Sequence, residues 1–81
     1  EAGFYLRITV EDRPGVMSGI TTVLADFGIS LDKIMQEDAA NHRATIALVT
    51  DSIVQGVVEQ AVAKLEQHDA VLGKIQKIRV F

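Results

Sequence analysis

The stretch Phe4-Tyr5-Leu6-Arg7-Ile8-Thr9-Val10-Glu11-Asp12-Arg13-Pro14-Gly15-Val16 holds the change of period that decides the fold. Phe4, Leu6, Ile8 and Val10 alternate with Tyr5, Arg7, Thr9 and Glu11, so one face of a β-strand is apolar. Asp12-Arg13-Pro14-Gly15 interrupts the alternation, and Pro14 suits the first turn of a helix, where its missing N–H costs nothing. Beyond it, Val16, Ile20, Val23, Leu24 and Phe27 fall on one helical face, and Gly28 stands where a left-handed C-terminal cap is wanted.

Working outward, Ile29 to Gln36 reads as a second strand whose apolar phase changes between Leu31 and Ile34, which predicts a bulge or a twist. Glu37 to Asn41 is polar and suits a hairpin loop, and His42 to Thr50 has the composition of a third strand. Ser52-Ile53-Val54-Gln55 has the form of a capping box. Val54, Val57 or Val58, Ala61 and Leu65 then mark a helix running to about Gln67. Lys74 to Phe81 closes the pattern as a strand with Ile78 and Val80 on its apolar face. Two right-handed crossovers in a β-α-β-β-α-β order predict an α+β, ferredoxin-like sandwich: a four-stranded antiparallel sheet, order 4-1-3-2, with both helices on one face. Strands two and four become edges, and the face bearing Tyr5, Arg7, Thr9 and Thr45 or Ala47 is left uncovered.

Eighty-one residues make one domain, 1–81, with a core thin enough that burial against a partner would matter. Opening on Glu1-Ala2-Gly3 rather than Met, the chain is expected to be an excised piece of a longer protein. A net charge of −3 argues against phosphate backbones and anionic membranes as partners. The absence of cysteine removes disulfides and thiol chemistry and is more typical of a cytoplasmic protein.

Catalytic constellations are hard to assemble. His42 reads as a strand-start residue and His68 as a polar group in the last turn of helix two, neither spaced for a metal. Ser18, Ser30 and Ser52 lack a nucleophile setting, and the glycines match neither the dinucleotide fingerprint nor the phosphate loop. RNA-recognition modules share this strand order, but the third strand here carries no aromatic residue. An enzyme on this chain alone is not expected, nor a cofactor.

The Asp12 to Val16 segment is the most informative for function. A helix N-terminus offers unpaired N–H groups and a partial positive charge, so it can hold an amino acid's α-carboxylate while Asp12 meets the ammonium. Asp12 complementing the helix dipole, with Pro14 and Gly15 shaping the turn, explains the same residues equally well.

Asp12-Arg13-Pro14-Gly15-Val16, followed by Gly28-Ile29-Ser30-Leu31 and a second α-β unit, resembles the ACT domain, a small regulatory module that usually binds amino acids. Within it, Ala63 to Glu66, Val71 to Gly73 and Ile78 to Val80 look most like the C-terminal ACT domain of homoserine dehydrogenases. The resemblance implies an effector site built from Asp12, Arg13, Pro14, Gly15 and Val16 of one chain with Ile29 and Ser30 of its partner. It also implies a homodimer joined at edge strand two through Ile29, Leu31 and Ile34. Many members carry asparagine where this chain has Asp12 or Ser30. The implied effector is a small amino acid, threonine first, acting on an NAD(P)-dependent catalytic domain elsewhere in the parent enzyme. The alternatives are a dimerisation module without a ligand, or the ACT domain of another enzyme of amino-acid metabolism.

Overall fold

The computed structural model describes residues 2–80, without the side chains of residues 38–40. Strand β1, Phe4–Glu11, runs through the middle of a sheet ordered β2-β3-β1-β4, with β2 spanning Leu31–Ala40, β3 Arg43–Thr50 and β4 Gln76–Arg79. Helix α1, Val16–Asp26, follows β1, and helix α2, Gln55–Glu66, follows β3. All three strand pairs are antiparallel, so the expected ferredoxin-like order is the one found.

The alternation in β1 does what its period requires. Leu6 and Ile8 are fully buried and Phe4 and Val10 nearly so, facing Ala44, Ile46 and Leu48 of β3 in the same layer. Val16, Ile20 and Leu24 of α1 and Val58, Ala61 and Leu65 of α2 cover that layer. Each fully buried Leu or Ile is worth roughly 1.5–3 kcal/mol, and this single layer holds the domain together. Thr50 is the one buried polar side chain among the described residues, and its Oγ1 accepts the Phe4 N–H over 3.0 Å.

Several local expectations are corrected. β2 continues to Ala40, so Glu37 to Ala40 belong to the strand, and the connection is the two-residue turn Asn41-His42. Both turn residues have positive φ (53° and 62°), the requirement of a type I′ hairpin. The expected irregularity lies between Leu31 and Lys33, and a second lies between Gln36 and Ala39. Pro14 precedes the helix cap, which is Gly15 at φ 85°. Ser52 caps nothing: α2 starts after Val54, and Gln55 bonds Glu59 one turn on instead of reaching back.

The apolar face of β4 also points the other way. Ile78 pairs with Tyr5 on the uncovered face and Ile75 is the residue that enters the core, leaving Ile78 at 55% and Val80 at 46% exposure. Lys77 takes the helix side, where its Nζ reaches Glu59 at 3.1 Å and lies 5.9 Å from the Phe4 ring centre. A long lysine stem covers apolar surface while its ammonium stays wet, so alternation alone could not choose the face.

Candidate functional site

The β1–α1 loop is shaped by backbone bonds. Asp12 N–H donates to the His42 carbonyl over 2.7 Å, and Arg13 N–H donates to the Glu11 carbonyl over 3.1 Å. Gly15 then adopts φ 85°, ψ −9°, a left-handed conformation that favours glycine, and turns the chain into α1. No side chain caps this helix. Val16 N–H reaches only the Arg13 carbonyl at 3.4 Å and Gly19 N–H bonds the Gly15 carbonyl at 2.9 Å. The N–H groups of Gly15, Met17 and Ser18 have no partner among the described residues, which leaves three donors and the positive end of the helix dipole together.

These donors border a cleft of about 220 Å³. Val10, Val16, Ala44 and Ile46 give it an apolar wall, while Asp12, Arg13, Ser18 and Gln36 bring polar groups to it. Ligand pockets usually span about 300–1,000 Å³, so this one suits a molecule smaller than a nucleotide. Arg13 is tied at its far end: Nη2 lies 3.0 Å from Asp69 and 3.8 Å from Glu11. The hydrogen bond and charge of Asp69 hold the guanidinium's pKa above its usual value, and Arg13 in turn holds the Asp69 carboxyl below the usual carboxylate range.

Of the residues expected to bind an effector, the structure gathers Asp12, Arg13, Gly15 and Val16 at the cleft. Pro14 is exposed and shapes the loop without lining it. Ile29 is 5% exposed, packs within the core and does not line this chain's cleft, while both its expected roles involve a second chain. Ser30 is exposed and away from the cleft, its carbonyl accepting the Asp51 N–H. On β2, Leu31 is half-buried against the core and Ile34 is 43% exposed.

Sequence reasoning missed Gln36, which it placed at the end of β2 without a role. Gln36 pairs with the buried Ile46, so it shares the inner face, and it lines the cleft. A polar residue in an apolar phase was the available signal. There is no group of three or more metal-ligating side chains among the described residues, and no helix is long and apolar enough to cross a membrane.

The model of the family described as "ACT domain" matches residues 4–70. The chain belongs to the ACT domain family. It is 35% identical to a homoserine dehydrogenase of Pseudomonas aeruginosa over 99% of its own length and 19% of that protein's. It is 31% identical to the enzyme of Methylobacillus glycogenes, over 98% of this chain and 20% of that protein. A crystal structure of a homoserine dehydrogenase from Thiobacillus denitrificans superposes with a TM-score of 0.86 at 40% identity, covering 96% of this chain and 17% of that one. This ACT domain thus spans about a fifth of the length of the curated relatives it matches.

Proposed function

We propose that this ACT domain is a regulatory module that binds a free amino acid in the cleft at the start of α1, in a homoserine dehydrogenase. The observation carrying this reading is that the residues bearing three unpaired N–H donors, Gly15, Met17 and Ser18, line a small apolar-walled cleft together with Asp12. A zwitterion fits that arrangement: its α-carboxylate against the helix N-terminus, its ammonium toward Asp12, its side chain toward Val10, Val16 and Ile46, with Gln36 able to bond a side-chain hydroxyl. A short hydroxylated amino acid such as threonine matches both the size and the polarity. An anionic dinucleotide does not fit, because the strand-to-helix turn presents Glu11 and Asp12. The nicotinamide cofactor of the parent enzyme belongs to its catalytic portion. Regulation requires the effector to favour one of two arrangements of the two parts, since a ligand shifts an equilibrium only by its differential affinity.

Calorimetric titration of the 81-residue chain with threonine, serine, isoleucine, methionine, lysine and phenylalanine tests this directly. One of them should bind, and Asp12→Ala should abolish or strongly weaken that binding with the fold intact. Unchanged affinity in Asp12→Ala would remove Asp12 from the site.

A second reading, an assembly module joined edge to edge, is favoured by the length of β2. Its ten residues form an outer edge with Ile34 and Met35 about half exposed. Ile34→Lys should then yield monomers by light scattering, and a dimer that survives it would exclude this edge.

A further inference from the structure

The loop from Asp12 to Gly15 is held from two sides. On one side stands the turn carbonyl of His42, 2.7 Å from the Asp12 N. On the other lies the segment following α2, which runs along the outer edge of β1 where β4 no longer covers it. β4 pairs only with Phe4 to Arg7. Farther along, Glu11 N–H donates to the Ala70 carbonyl and Leu72 N–H to the Thr9 carbonyl, each over 2.8 Å, while Val10 and Val71 form an antiparallel bridge.

This segment is itself braced. Ala70 N–H donates to His68 Nδ1 over 3.1 Å, and the imidazole lies so close to α1 that a Cβ on Gly19 would stand 3.1 Å from Nε2. Asp69, between these two anchors, places Oδ2 3.0 Å from Arg13 Nη2 and Oδ1 3.4 Å from His68 Nδ1. Arg13 is thereby the side-chain link from the loop to the segment after α2, in a loop whose helix has no side-chain cap.

We propose that Asp69 is a positioning residue for the cleft: by holding Arg13 it sets the path of Arg13-Pro14-Gly15, and so the direction of the unpaired N–H groups at Gly15, Met17 and Ser18. The inference rests on the reading of the cleft as an amino-acid site. It adds that the segment between α2 and β4, which lines no part of the cleft, belongs to the binding apparatus.

Two measurements test it on the 81-residue chain. Without any ligand, Asp69→Asn should speed amide hydrogen exchange at Asp12, Arg13 and Val16 and leave that of Leu6 and Ile8 unchanged, while Asp69→Glu should restore the slow exchange. Protection at the loop equal to that of the unaltered chain would overturn the proposal whether or not the cleft binds anything. In calorimetry with L-threonine as the probe, Asp69→Asn should weaken binding by about two- to five-fold at low salt, the range of an exposed ion pair. The gap should shrink in 0.5 M salt, where the Debye length falls to a few ångströms. A loss of affinity that Asp69→Glu fails to recover and salt fails to narrow would show a general structural role and also overturn it. If the unaltered chain does not bind L-threonine, the choice of effector fails, and the exchange experiment still decides the role of Asp69.

Discussion

Asp12 donates its backbone N–H to the carbonyl of His42 across 2.7 Å, so the β1–α1 loop rests on the β2–β3 turn. That support is conformationally costly, because His42 holds φ 62° and a side chain with a Cβ disfavours the left-handed region by roughly 1–2 kcal/mol. The His42 side chain is exposed, and among the described residues it makes no hydrogen bond or ion pair that offsets this cost.

His42→Gly should therefore stabilise the domain by up to about 1 kcal/mol, part of the relief being offset by the greater freedom of glycine in the unfolded chain. Thermal denaturation should show a midpoint raised by several degrees. The carbonyl that holds Asp12 is retained, so effector affinity should not change.

The buried Thr50 hydroxyl is the acceptor for the Phe4 N–H at 3.0 Å. Thr50→Val keeps the shape and leaves that donor without a partner in a sealed place, at a cost of about 1–3 kcal/mol. Thr50→Ser keeps the acceptor and should lose less than Thr50→Val. Urea denaturation of the three proteins gives the ranking; equal midpoints for Val and Thr would show that the bond contributes nothing.

Gly19 sits within α1, where alanine would add about 1 kcal/mol of helix propensity. A Cβ there meets His68 Nε2 at 3.1 Å, so the ring must shift and loosen its bond from Ala70 N–H. Gly19→Ala should be nearly neutral alone and clearly stabilising when combined with His68→Ala. An equal gain in both backgrounds, read from denaturation midpoints, would mean that the imidazole yields freely.

Two carboxyls make stability depend on acid. The hydrogen bond from Lys77, with that from Gln55, lowers the pKa of Glu59 from 4.5, and the hydrogen bond from Arg13 lowers that of Asp69 from 3.8. A folded-state pKa below the unfolded one stabilises above the unfolded value and loses its effect as pH falls through the folded value. Melting temperatures should thus hold above about pH 4.5 and decline below it, with a shallower decline in Glu59→Gln combined with Asp69→Asn. Both pairs are exposed, so the difference should be modest and should fade in high salt.

Much of this molecule was legible in one dimension. The alternation of Phe4 to Val10 and the stripe of Val16, Ile20 and Leu24 state their own periods, and a period decides which side of an element is buried when one side only is apolar. That Asp12, Arg13, Gly15 and Val16 lie together was legible for the same reason: a strand, a turn and a helix start follow one another along the chain, and in the structure these residues line one cleft. Gln36, Asp69 and the Asn41-His42 turn were not legible. Gln36 reaches the cleft only because β2 pairs with β3 in the register that sets it opposite Ile46. Asp69 lies fifty-six residues after Arg13 and meets it only once the segment after α2 lies along β1. β4 failed for a related reason, since either face of a four-residue strand could have turned inward until Lys77 found Glu59 and the Phe4 ring. Local periodicity and turn chemistry are properties of neighbours in sequence, and they determined the elements and the loop. Register and the approach of distant segments depend on how the whole core closes, and the tertiary structure alone decided what stands across from that loop.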